Sequence, residues 1–295
     1  MMRRIGLFLA TNIVIMATMT IVFTILQAVL STFFPELGQS SLGGTALFSL
    51  VVGFTGAFVS LAMSRKIAKS WMNVRVIDPR GTRTGAEIWL QDTVFELCLK
   101  AGLKHMPEVG IYPSREINAF ATGPTKKRSL IAVSSGLFAK MDTAAIEAVL
   151  AHEVAHIKNG DMVTQTLIQG VVNTFAVFFS RLIAKILTPL IREEFSNWVY
   201  LLLSFLFEML FTFFGSLIVF AHSRHREFAA DRTASELVGK EKMIHALRLL
   251  LGDQTECARF SDSAMRSMQI SSRRRWINWL STHPPLEKRI TMLEA

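Results

Sequence analysis

The feature that most constrains this chain is residues 5–30, IGLFLATNIVIMATMTIVFTILQAVL, which carry no charged side chain. Spanning the hydrocarbon core of a bilayer takes about 20 apolar residues, so the run is long enough to cross it. Arg3 and Arg4 precede it, as they would in a signal peptide. The run exceeds the roughly 7–15 residues of a signal h-region and no clean small-residue cleavage site follows, which favours an anchored helix. Three further apolar runs follow at 42–63, 162–180 and 198–220. The third ends in Arg181 and Lys185, the fourth contains Glu208, and Trp198 and Tyr200 mark the start of the fourth as an interfacial belt would.

Composition agrees with these runs. Apolar residues make up 51% of the 295 and charged residues only 19%, against about 25% in soluble domains. Twenty-two Phe exclude a disordered chain. Cys98 and Cys257 are too few for a disulfide framework and suit a reducing compartment. Segments 1–4, 64–161 and 221–295 hold 29 of the 32 Lys and Arg, whereas residues 31–41 hold none. The positive-inside rule then places both chain ends and both large polar parts in the cytosol. The net charge of +9 reads as topology plus attraction to anionic lipid; no nucleic-acid-binding signature is present. Arg273–Arg275 ahead of Trp276 and Trp279 read equally as a lipid contact or as a solvated charge run.

The predicted organisation is an N-terminal transmembrane hairpin (1–63), a cytosolic part (64–161), a second transmembrane hairpin (162–220) and a second cytosolic part (221–295). A two-span variant, with the last two runs folded on the cytosolic domain, leaves the polar parts on the same side. In the first polar part a helix is predicted over 87–101, followed by short strands at 108–112, 117–122 and 129–133. Gly123 and Pro124 turn the chain between the last two. A helix from Asp142 or Thr143 to Asn159 is stopped by Gly160. Helices are predicted over 221–237 and 240–251, and an irregular polar loop over 252–272.

The 142–159 helix carries His152-Glu153-Val154-Ala155-His156. At 3.6 residues per turn the two imidazoles stand one above the other and can reach one ion at about 2.0–2.1 Å. Glu153 lies beside them, placed to touch a metal-bound water without ligating the metal, which is the HExxH metalloprotease arrangement. A catalytic zinc needs a third protein ligand and an open position. Residues 222–232, HSRHREFAADR, supply Glu227 as third ligand, with His222 and His225 as alternatives. Asp231, four residues on, shares the Glu227 face and can hydrogen-bond the far nitrogen of a ligating His. A purely structural zinc site is the competing reading, but such sites are typically Cys-rich and this one offers none.

The chain resembles the HtpX-type bacterial inner-membrane zinc metalloproteases, which are related to prenyl-protein endopeptidases of the endoplasmic reticulum. The resemblance spans Asn118-Ala119-Phe120-Ala121, the HExxH helix with Asn159-Gly160-Asp161, residues 168–173 (IQGVVN), residues 223–228 (SRHREF) and Thr282-His283-Pro284-Pro285. It implies a mostly α membrane protein bearing a cytosolic α+β gluzincin-like domain with a small β-sheet, one zinc ion per chain and a role in membrane-protein quality control under stress. By the same resemblance His152, His156 and Glu227 match the zinc ligands and Glu153 the catalytic base.

The mechanism expected is attack by a zinc-activated water, with Glu153 moving the proton. His283, Arg224 and Arg226 are candidates to stabilise the oxyanion; His283 could instead pack its turn or gate the metal. Asn118, Ala119, Phe120 and Ala121 would form an edge strand on which an extended, unfolded or misfolded membrane-protein substrate adds. Three rivals remain in view. An intramembrane protease would bury HExxH in an apolar span, whereas this helix holds Lys158 and Asn159. A prenyl-protein protease needs a chamber of more than four spans. A metal-sensing transporter would have no use for Glu153, and Glu208 alone marks no ion path.

Overall fold

Each apolar run folds into one long helix in the computed structural model, which describes residues 2–36, 40–190, 196–265 and 283–295. In chain order these are α1 (Met2–Phe33), α2 (Ser41–Trp71), α6 (Asp161–Leu187) and α7 (Ser196–Val238). All four are long and apolar enough to cross a membrane. The chain divides into two units, one made of Met1–Met63 with Thr164–Val219, the other of Ser64–Val163 with Phe220–Ala295.

The first unit is helical and wears its apolar side chains outward, with Phe205, Phe213, Phe214 and Ile218 all more than half exposed. Threonine hydroxyls within the helices bond to their own backbone: Thr20 and Thr24 donate to the carbonyls of Met16 and Thr20 at 2.9 and 2.8 Å. That is what a hydroxyl without water must do. Helices α2 and α6 approach through glycine. A Cβ on Gly53 would stand 2.2 Å from Thr174 Oγ1, and one on Gly170 2.5 Å from Phe54. Small residues at such crossings let helix backbones meet where no hydrophobic effect drives them together.

The second unit holds a four-stranded sheet of order β1-β2-β4-β3. Its strands are β1 (Arg75–Val76), β2 (Glu108–Tyr112), β3 (Ala119–Thr122) and β4 (Leu130–Ser134). β2 and β4 run parallel; β3 pairs antiparallel with β4 and forms one edge. Every residue of β4 is buried, as expected of a central strand. Helices α3 (Gly85–Lys100), α5 (Thr143–Asn159), α8 (Lys240–Met265) and α9 (Leu286–Glu294) supply Leu90, Leu97, Leu150, Val154, Leu247 and Ile290 to the core. A capping box between Thr84 and Glu87 starts α3. Asp142 caps α5 by accepting from Ala145 N–H at 2.8 Å. Gly160, at φ +75°, ends α5 in the left-handed region that costs glycine nothing.

Several elements differ from expectation. α8 continues to Met265, so residues 252–265 are helical and not an irregular loop. The docked face of Met243, Ala246 and Leu247 secures the early turns of α8, and extending an existing helix costs little. The helix predicted over 221–237 is the continuation of the fourth apolar run without a break. The two-residue β1 and the short α4 (Ser135–Lys140) carry too little periodicity to be seen in sequence. Residues 266–282, including Arg273–Arg275, Trp276 and Trp279, lie outside the described residues.

Candidate active site

The site begins with the phase of α5. His152 and His156, one turn apart, present Nε2 atoms 3.1 Å from each other. Glu227 on α7 closes the third side, Oε1 lying 3.4 Å from His156 Nε2 and Oε2 3.5 Å from His152 Nε2. The three ligand atoms all fall within 4.8 Å of one another. Ligands about 2.0–2.1 Å from a tetrahedral ion stand about 3.3 Å apart, so the donor set has the spacing zinc requires.

The far ring nitrogens decide which atoms face inward. His152 Nδ1 lies 2.9 Å from Asp231 Oδ1. His156 Nδ1 lies 2.5 Å from Asp161 Oδ2. With each Nδ1 held by a carboxylate, both Nε2 atoms face the same point, where neutral imidazoles would offer lone pairs to a cation. The field is strong. Burial opposes a charge on His156, yet its bonds to Asp161 and Glu227 push its pKa up to about 10. Burial likewise opposes ionisation of Glu227, but the His152, His156 and His283 contacts hold it far below the usual carboxylate range. Glu227 Oε2 is buried, with His283 Nδ1 2.9 Å away. Two imidazole nitrogens and one carboxylate at this spacing form a donor set of the kind a catalytic zinc takes, so the residues present fit that ion.

A cavity of about 390 Å³ opens over this cluster and is lined by His152, Glu153, Glu227, Asn118, Ala119 and His283, among others. Glu153 is 9% exposed. His283, on the turn before α9, is two-thirds exposed, and Pro284 behind it is buried. Asn118 and Ala119 put the start of the edge strand at the cavity wall, while Phe120 points to the other face against Tyr112, with ring centroids 5.6 Å apart. Ala121 packs against the core instead of the cavity.

Other candidates lie away from this cluster. Neither Arg224 nor Arg226 lines the cavity. Arg226 NH1 donates to the carbonyl of Asp161 at 2.9 Å; one residue from Glu227, it is turned about 100° around the helix. His222 and His225 do not belong to the metal-binding group.

Two residues were missed. Asp161 is the first residue of α6, and only the left-handed turn at Gly160 swings it back onto His156. The signal was an acidic residue directly after a glycine stop. Arg289 on α9 is 7% exposed and forks onto Asp231, Nε to Oδ2 at 2.7 Å and NH2 to Oδ1 at 2.5 Å. Nothing in sequence pairs it with a residue 58 positions away.

The model of peptidase family M48 matches residues 86–295. Over the full length of both chains, the sequence is 50% identical to a Protease HtpX homolog of Bacillus subtilis (strain 168). It is 45% identical to Protease HtpX of Shewanella pealeana, again over both full lengths. Among solved structures, Ste24p of S. mikatae matches with a TM-score of 0.57 at 16% identity, covering 99% of this chain and 66% of that one. That last likeness bears on the fold alone. With the matched family and the full-length relatives set beside four membrane-length helices, the chain belongs to peptidase family M48 and is a multi-pass membrane metalloprotease of the HtpX type.

Proposed function

We propose that this protease is a zinc endopeptidase that hydrolyses unfolded or misfolded membrane-protein chains at the cytosolic face of the bacterial inner membrane, as quality control under stress. The observation that carries the chemistry is the pair of inward-facing His152 and His156 Nε2 atoms closed by the Glu227 carboxylate, all within 4.8 Å of one another. His152, His156 and Glu227 would hold one zinc per chain. The ion would supply Lewis-acid polarisation and lower the pKa of a water from 15.7 to about 7.

The rest is done by the chain. Glu153, adjacent to the ligands and facing the cavity, takes a proton from the attacking water and returns it to the amine as the C–N bond breaks. Asp231 and Asp161 keep the two imidazoles turned with Nε2 inward. His283 at the cavity mouth is the candidate donor to the developing oxyanion. The edge position of β3, with Asn118 and Ala119 at the cavity wall, supports an extended substrate laid alongside as an added strand. Such pairing reads backbone more than side chain, which suits damaged chains of many sequences. The concentration of Lys and Arg in 64–161 and 221–295 supports a cytosolic site.

The test is cleavage of an unfolded protein such as casein by the detergent-purified chain, stripped of metal and then given zinc. Zinc-dependent cleavage that disappears in Glu153→Gln is expected. Zinc binding with no cleavage of any unfolded chain would overturn the broad-specificity reading.

A further inference from the structure

We propose that Arg289 is a positioning residue of the metal site, acting through Asp231 and Glu227, and that the site is complete only when the C-terminal helix α9 is docked. This rests on the zinc reading above. Both ligating imidazoles lean on a carboxylate, but the two carboxylates are held differently. Asp161 is the less deeply buried, and Arg226 donates to its backbone carbonyl. Asp231, 1% exposed, has both oxygens engaged by one guanidinium.

The geometry exceeds charge neutralisation. Asp231 Oδ1 serves two donors at once, Arg289 NH2 at 2.5 Å and His152 Nδ1 at 2.9 Å. The planar fork fixes the carboxylate's rotation, and therefore the direction in which His152 is held. The remaining nitrogen, NH1, lies 3.4 Å from Glu227 Oε2, and NH2 lies 3.4 Å from His152 Nδ1. One guanidinium thus touches the surroundings of two of the three proposed ligands, from α5 and from α7. Leu286 and Ile290 bury the same face of α9 in the core that α5 and α8 share, so hydrophobic docking of α9 delivers the guanidinium. A lysine would preserve the charge but not the fork.

The experiment measures zinc dissociation constants by chelator competition on the full-length protein in detergent, well below its melting temperature. Native protein is compared with Arg289→Lys and with the double variant Arg289→Met/Asp231→Asn. Partners that orient metal ligands typically change affinity 10–100-fold. We expect Arg289→Lys to weaken zinc binding at least 10-fold, with kcat lowered at limiting zinc and KM unchanged. The double variant, which removes both buried charges, is expected to recover melting temperature without recovering zinc affinity. Zinc affinity within twofold of native in Arg289→Lys would overturn the proposal, as would restored affinity in the double variant, which would make the role charge compensation. A raised KM at native zinc affinity would also overturn it, by making Arg289 a substrate contact. If native protein itself bound no zinc, the zinc reading would be what failed.

Discussion

At the residue scale, the proposed chemistry divides labour among side chains that lie close together. Glu153 is proposed to move a proton without ligating, so Glu153→Gln is expected to keep zinc at native stoichiometry while kcat falls by about 10²–10⁴-fold. Metal analysis beside a single-turnover assay checks both halves. Asp161 is proposed only to orient His156. Asp161→Asn is therefore expected to weaken zinc binding about 10–100-fold, and excess zinc is expected to restore most of the activity. Competition with a chelator, followed by assay at saturating zinc, separates that outcome from a loss of chemistry. The proposed ligands and the partner Asp231 were legible because they recur at helical spacing: His152 and His156 four apart, Glu227 and Asp231 four apart. Asp161 and Arg289 were not, because one acts across a left-handed turn and the other across a helix–helix interface.

At the element scale, helix ends set the site. Gly160 stops α5 one turn beyond His156 and lets Asp161 fold back. A Cβ there meets only Lys126 Cε at 3.6 Å, an ordinary contact, so the cost of Gly160→Ala is conformational. That cost is about 1–2 kcal/mol for a left-handed residue with a side chain. A lower melting temperature and weaker zinc binding are both expected. At the other end of α5, the Asp142 carboxyl is held below its ordinary value by the Ala145 N–H and then by His245. A lowered native pKa adds stability that is present above the unfolded value of about 3.9 and is lost as pH falls through the native one. Asp142→Ala is expected to melt below native at pH 7, and the gap is expected to close in acid. A melting series from pH 7 to pH 2 reads it. The extent of α8 lay beyond the sequence because Gly252 and the polar residues after it read as a helix stop, whereas they extend a helix secured by its earlier turns.

At the scale of the whole molecule, one composition serves two solvents. The membrane runs could be read from length and apolar composition, three of them without a single charge and the fourth with only Glu208, and four long helices match them. The sheet was legible as short strands around Gly123 and Pro124, but the parallel pairing of β2 with β4 is a long-range choice that no local pattern announces. Packing of the helical unit depends on the Gly53 crossing, where a side chain would overlap Thr174 Oγ1 and the Gly170 carbonyl. Gly53→Val is expected to lower the fraction of protein recovered monodisperse from detergent. The topology makes its own prediction. In a background lacking Cys98 and Cys257, a cysteine at Phe34 is expected to react with an impermeant thiol reagent in intact cells. A cysteine at Lys127 is expected to react only after permeabilisation.

The most direct test of the central claim is the zinc content of purified native, Glu153→Gln, His156→Ala and Glu227→Ala proteins, measured on the same folded preparations whose cleavage is assayed. The account predicts one zinc per chain in native and Glu153→Gln, little in the other two, and cleavage by native protein alone. Full zinc retention in both His156→Ala and Glu227→Ala, or cleavage persisting in Glu153→Gln, would contradict it.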